Sequence, residues 1–230
     1  MSIASSPQSY DLPGSHGGKR DQQKRVHREA ILAAGEHVLG TDLRRCVAVD
    51  RIAAEAGLAK GTVYNYFADK AALVEAVTQR VEARVLERIE RAMWNLPGAA
   101  ARVAAAMYVM FETAMLFPEE AVILERRLSA AGSHASSIGV IILAELRDKE
   151  FDCLAEPGAR RAALTLILSA ICSGMREAVC DRSRWGEAEA QALIRRCLAA
   201  LGTGVEQASL ETRITLSPME TGGDWLGADR

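Results

Sequence analysis

Apolar positions recur along this chain at spacings of three and four residues, broken by short polar or Gly/Pro-containing stretches, and sustained alternation of Val, Ile or Thr is absent. That is the helical period, so the pattern predicts an all-α protein. Ile31, Ala34, Val38 and Leu39 mark one face of a first helix over about 21–40. A second is expected over about 49–56 and a third over about 60–66. Asp69 then stands where an N-cap would, ahead of Leu73, Val77, Val81, Val85, Ile89 and Met93, the apolar positions of a long fourth helix that Pro97 and Gly98 are expected to end. Five more follow over about 99–116, 118–130, 136–154, 158–181 and 186–202, with breaks at Pro118, near Gly132, at Pro157 with Gly158, and at Ser183 to Gly186. That makes about nine helices. Residues 1–18 and 205–230, poor in apolar side chains, read as disordered tails.

Composition narrows the class without deciding the function. Of 230 residues, 49% are hydrophobic and 25% charged, as in an ordinary globular protein. No run of about 18 uninterrupted apolar residues appears and the polar N-terminus lacks a signal-peptide centre, so no membrane partner and a cytoplasmic location are expected. The five cysteines (Cys46, Cys153, Cys172, Cys180, Cys197) are scattered and form no C-x-x-C pair, which argues against zinc and a disulfide framework. They read as small apolar residues, with a thiol sensor built on Cys172, Cys180 or Cys197 as the alternative. No hydrolase, Walker, dinucleotide or paired Cys/His motif is present, so neither an enzyme nor a cofactor or metal site is expected.

Charge becomes informative only by segment. Over 19–80 there are 11 Lys or Arg against 8 Asp or Glu, a net +3, whereas 81–230 holds 17 against 21, a net −4. The basic excess is concentrated in Lys19, Arg20, Lys24, Arg25 and Arg28, at the start of the first helix. Such a cluster is a solvated face unless the segment after it can use it against phosphate.

The segment after it can. Ala53, Gly57 and Val63 fall at positions 5, 9 and 15 of a window starting at Val49, where two steeply crossing helices need a small contact residue, a corner that tolerates positive φ, and an apolar anchor. Ile52, Ala56, Leu58, Tyr66 and Phe67 supply further inward positions. An ordinary helical hairpin could share that core, so the outward face has to decide. Lys60, Gly61, Thr62, Tyr64 and Asn65 are small, polar or hydrogen-bonding, Lys70 follows, and no acid occurs between Lys60 and Ala68. Donors without acids suit a helix approaching phosphate and base edges.

Residues 51–73, RIAAEAGLAKGTVYNYFADKAAL, resemble the DNA-binding signature of the tetracycline-repressor (TetR) family of bacterial transcription regulators, matching it at Ile52, Ala53, Ala56, Gly57, Lys60, Gly61, Thr62, Tyr64, Tyr66, Phe67, Lys70 and Leu73. The close match covers about 25–75. The resemblance implies a three-helix helix-turn-helix domain over 19–70 and a helical effector-binding and dimerisation domain over 71–204. It implies that Lys60, Gly61, Thr62, Tyr64, Asn65 and Tyr66 face a DNA operator and that Lys70 meets phosphate. Where the family has Phe, Gly and Thr, this chain has Leu39, Leu43 and Ala48, so Asp50 is the substitute helix cap, and Arg44, Arg45 and Arg51 are candidate phosphate contacts.

The expected mechanism is that of a homodimer on a palindromic double-stranded operator, with two recognition helices about 34–36 Å apart, released by an apolar or amphipathic small-molecule effector. Repression is the expected outcome. Activation, thiol response and architectural DNA binding remain the alternatives. Leu164, Leu168, Ile171 and Met175 on one late helix and Leu193 and Leu198 on the other are the expected dimer-bundle residues, unless they complete the monomer core. Met93, Trp94, Met107, Met110, Phe111 and Phe117 are the expected effector pocket, unless they too are core. Arg126, Arg127 and His134 are candidates for orienting an anionic group on the effector.

Overall fold

The computed structural model describes residues 16–41, 48–130 and 135–203. They form nine α-helices and one 3-10 helix, with no strand among the described residues. In chain order these are α1 (His16–Thr41), α2 (Val49–Glu55), α3 (Lys60–Tyr64), α4 (Lys70–Met93), α5 (Ala99–Leu116), α6 (Pro118–Ser129), α7 (Ser137–Glu145), the 3-10 helix (Lys149–Leu154), α8 (Pro157–Cys180) and α9 (Glu187–Ala200). Of the two expected tails, 1–15 and 205–230 lie outside the described residues, while residues 16–18 already belong to α1. Leu43, Arg44, Arg45, Cys46 and His134 also lie outside them.

The helix ends show which local chemistry sets each boundary. Asp69 Oδ1 accepts the Ala72 N–H at 2.8 Å, the expected cap of α4. At its other end α4 stops earlier than Pro97, because Asn95 takes a left-handed φ of 67° just past the last turn. Expectation placed one helix over 136–154. Ser136 Oγ caps α7 through the Gly139 N–H at 3.0 Å, and Asp148 Oδ1 caps the 3-10 helix through the Glu150 N–H at 3.0 Å, so two caps split that segment. Two further caps come from distant acids. Glu150 Oε2 accepts the Ala100 N–H of α5 at 2.9 Å, and the buried Glu82 of α4 accepts the Ser137 N–H of α7 at 2.9 Å. Gly98 makes the first possible, since a Cβ there would lie 2.6 Å from a Glu150 carboxylate oxygen.

α5 is the centre of the larger domain. Ala99, Ala100, Ala101, Ala104, Ala105 and Ala106 are all buried, and such small side chains let α4, α7, α8 and α9 pack closely around it. Both α5 and α8 are long and apolar enough to cross a membrane by length and composition. In α5, 78% of that span is buried within the fold, against 50% in α8. α5 is thus a core helix, whereas α8 keeps an outer face uncovered.

The N-terminal helices are fastened to the larger domain in two ways. α4 runs continuously from one to the other, and α1 packs directly on α6. A Cβ on Gly40 would sit 2.4 Å from Glu119 Cβ, so the two backbones meet with no room for a side chain. Arg126 donates to the Leu39 carbonyl at 3.1 Å, and His37 Nδ1 lies 3.0 Å from Glu119 Oε1. Between them Arg84 of α4 bridges Glu36 of α1 at 2.8 Å and Glu120 of α6 at 3.0 Å, with Arg80 to Glu36 at 2.9 Å and Arg88 to Glu120 extending the row.

Candidate nucleic-acid interface

α2 and α3 cross through a corner at Gly57, whose φ of 66° is left-handed and therefore suits glycine. The Leu58 N–H closes the corner on the Ala53 carbonyl at 2.9 Å. Ile52, Ala53, Val63 and Phe67 are buried beneath it, joined to Ile31, Leu32 and Leu73 from α1 and α4. These are the inward positions expected from the spacing. α3 is only five residues long, too short to persist alone, so its orientation is set by this anchoring.

The opposite side of α3 is open. Lys60, Gly61, Tyr64 and Asn65 are exposed, Thr62 is half-buried, and Arg51 and Lys70 are exposed at the flanking helix starts. Tyr64 is a large aromatic with 42% of its surface open to solvent. A Cβ on Gly61 would meet nothing within 4 Å, so the fold itself does not demand glycine there. Its absent side chain instead lets the start of α3 come close to an external surface.

Three features depart from expectation. Ala48 makes no side-chain cap, as expected, but Asp50 does not replace it: the Asp50 carboxylate pairs with Lys60, at 2.9 Å from Oδ1 and 3.1 Å from Oδ2. The acid-free stretch from Lys60 to Ala68 therefore acquires an acid from α2. This partner holds the Lys60 ammonium pKa above its ordinary value, chiefly by the hydrogen bond. Tyr66 is half-buried, and its hydroxyl is engaged by His27 Nδ1 at 3.2 Å, with Gln23 on the other imidazole nitrogen at 2.7 Å. Its ring also meets the His27 ring edge-on, at 6.2 Å between centroids.

That contact fixes α1 against the end of α3, where Arg28 lies 5.7 Å over the Phe67 ring. Lys24 and Arg20 are one and two turns before Arg28 on the same side of α1, and all three are exposed. Sequence alone flagged these as a basic cluster. The four-residue spacing of 20, 24 and 28 was the signal that they form a stripe leading away from α3.

In the larger domain the expected residues take other places. Leu164, Leu168, Ile171, Met175 and Leu198 are 0–3% exposed and face the protomer's own core; Leu193 is partly buried against it. The first five have almost nothing left to bury against a second copy and so complete the protomer core, the alternative named for them above. The outward side of α8 carries Ala162, Thr165, Leu166, Ser169 and Ser173 instead, with Leu166 43% exposed. Met107, Met110 and Phe111 are fully buried, and Phe111 packs edge-on against Trp185 at 5.6 Å. Met93 is half-buried, Phe117 lies under the Arg88 guanidinium at 4.7 Å, and Trp94 is 77% exposed.

Three cavities are prominent among the described residues, and none of those six lines them. One of about 360 Å³ opens where α1, α4 and α6 meet, beside Leu39, Thr78, Ile123, Arg126 and Arg127. One of about 280 Å³ separates α6 from α8, and one of about 320 Å³ lies between α7 and the start of α8. Arg126 and Arg127 thus do line a cavity, though Arg127 is already paired with Glu75 at 3.2 Å. Burial pushes the Cys172 and Cys197 thiols above their ordinary values, away from the reactive thiolate; Cys153 and Cys180 are exposed.

Comparison with known proteins bears on this geometry. The profile of the bacterial regulatory proteins of the tetR family matches residues 31–77, which span the second half of α1, the crossing pair and the start of α4. No curated protein matches the chain. Among solved structures, a TetR family transcription regulator from Marinobacter aquaeolei superposes with a TM-score of 0.63 at 17% identity, over 78% of this chain and 97% of that one. RolR in complex with resorcinol gives 0.59 at 16%, over 84% and 96%. FadR from Bacillus subtilis in complex with stearoyl-CoA gives 0.55 at 20%, over 76% and 98%. At these identities the structures share the fold, over both of its parts.

Proposed function

Residues 31–77 match the profile of the tetR family of bacterial regulatory proteins, and from that match we propose that the chain is a repressor of this family, a homodimer that binds a palindromic operator and leaves it when a small molecule binds. The observation that carries this reading is the exposed side of α3, where Lys60, Gly61, Tyr64 and Asn65 stand clear of a fully anchored inner side. In the major groove such a face offers hydroxyl, amide and ammonium groups to base edges and phosphates. Arg51, Thr62 and Lys70 flank it, with Arg20, Lys24 and Arg28 as further phosphate contacts. Tyr66 has the different task of holding α1 on α3.

One five-residue helix reads too few base pairs for specificity, so two copies must be coupled. The outward side of α8, with Leu166 among small residues, is the surface that supports such pairing. Helices with small side chains approach closely and bury Leu166 in the process. The dimer face is therefore assigned to Ala162, Thr165, Leu166, Ser169 and Ser173.

Release requires that an effector favour a conformer with the two α3 helices misplaced for adjacent grooves. Motion reaches them through α4 and through the α1–α6 contact, where Gly40 meets Glu119 and Arg84 ties Glu36 to Glu120. A coupling of about 1–3 kcal/mol would weaken operator binding by about 5–150-fold. RolR holds resorcinol and FadR holds stearoyl-CoA in their crystal structures, and an apolar or amphipathic effector is the class we assign to this chain as well. Its place of action is the cytoplasm, with the DNA.

The test is footprinting of the full chain on fragments of its own genome. Protection of a short inverted repeat upstream of a gene is expected, lost when the effector is added. Uniform, sequence-independent protection would point to an architectural binder instead.

A further inference from the structure

The cavity between α7 and the start of α8 is lined by Leu143, Arg147, Pro157, Arg160, Arg161 and Leu164, with a volume of about 320 Å³. Three of its six lining residues are arginines and none is an acid. Arg80, Arg84, Arg88, Arg102, Arg127 and Arg176, by contrast, are each paired with an acid. Arg147, Arg160 and Arg161 have no ion pair among the described residues. Arg160 Nε is also fully buried without a hydrogen-bond partner. A buried guanidinium N–H left without an acceptor is costly, so it marks a place where an acceptor is missing.

We propose that this cavity is a binding site for a small molecule carrying a phosphoryl group on an apolar body. Three unpaired guanidiniums around one space match a multiply charged anion, and each can donate two parallel hydrogen bonds to its oxygens. A monocarboxylate would neutralise only one. Leu143, Pro157 and Leu164 form the remaining wall, which suits a hydrocarbon portion next to the charged group, and the volume lies at the small end of the range for ligand sites. The start of α8, a 24-residue helix, adds its positive end to the same field. The proposal deepens the effector half of the function above and rests on it for regulatory meaning only, because binding is measured without DNA.

The test is titration calorimetry of the full chain at fixed ionic strength with hexyl phosphate, inorganic phosphate and hexanol. Saturable binding of one hexyl phosphate per chain is expected, weaker binding of inorganic phosphate, and none of hexanol. Arg160→Gln and Arg161→Gln should each weaken hexyl phosphate by about tenfold or more, while Arg182→Gln, an exposed arginine outside the cavity, leaves it unchanged. Arg161 is exposed, so its variant reports on binding even if Arg160→Gln disturbs folding. No saturable binding, or equal affinity in wild type and both cavity variants, overturns the proposal. Equal binding of inorganic and hexyl phosphate overturns the assignment of an apolar body. Loss of operator recognition with hexyl phosphate binding intact would be a failure of the regulator reading alone.

Discussion

Lys60 opens α3 with its ammonium 2.9 Å from the Asp50 carboxylate of the preceding helix. Both groups are exposed, so the pair is easily exchanged. In the proposed complex a phosphate would compete with Asp50 for the same ammonium, and the carboxylate itself would repel the DNA backbone.

Asp50→Asn removes the competitor and that repulsion together. Operator binding should tighten by about threefold to tenfold, and the dependence of log K on log salt should steepen by about one phosphate contact. Fluorescence anisotropy at several salt concentrations measures both. Unchanged affinity and slope would mean that Lys60 does not contact phosphate.

The contact of Gly40 with Glu119 predicts a structural cost. Gly40→Ala brings a Cβ within 2.7 Å of the Glu119 Cα, so α1 and α6 must separate. Overpacking of this kind typically costs about 1–3 kcal/mol, read as a lower urea midpoint. A midpoint equal to wild type would show that the α1–α6 seam yields freely and is too soft to transmit motion.

α8 offers a pair of leucines two residues apart with opposite expected effects. Leu166→Asp should give monomers by sedimentation while leaving monomer helicity intact, because Leu166 faces outward. Leu168→Ala should lower stability by about 2–5 kcal/mol through the cavity it leaves, without changing the pairing surface. A Leu166→Asp protein that still sediments as a dimer would remove α8 from the interface.

Glu112 on α5 carries a pH prediction. Desolvation pushes its carboxyl above the ordinary value, against the opposing pull of Arg88. The native state therefore binds this proton at a higher pH than the unfolded chain, and stability declines as pH rises from about 4 through the folded value. Glu112→Gln lacks that decline. It should match wild type in thermal midpoint below about pH 4 and exceed it at pH 7; a wild-type advantage at pH 7 would show that the Arg88 attraction wins.

Much of the fold was legible because its signals are local. Asp69 sits three residues before the N–H it caps, and Gly57 occupies the one corner between two short apolar runs that needs a left-handed residue. What escaped the sequence reading depends on distant pairs. Nothing near Asp50 announces Lys60 ten residues on, and Glu150 caps a helix that begins fifty residues earlier. On α8 the pattern is apolar or small on both sides, so periodicity could not say that Leu164 and Leu168 turn inward while Leu166 stays out. The Met and aromatic residues misled for a related reason: large flexible side chains fill a core as readily as they line a pocket, and each of the three cavities described has at least one arginine in its wall.

The central claim is that the outer side of α3, presented twice by one dimer, reads a duplex. Selection of bound sequences from a randomised double-stranded pool by the full chain tests it most directly, run in parallel with Tyr64→Ala. The wild-type pool should converge on an inverted repeat with half-site centres separated by about 10 base pairs or a multiple of that, and the Tyr64→Ala protein, with unchanged helicity, should lose the enrichment. A wild-type pool that remains random, or a Tyr64→Ala pool that converges on the same repeat with equal strength, would contradict it.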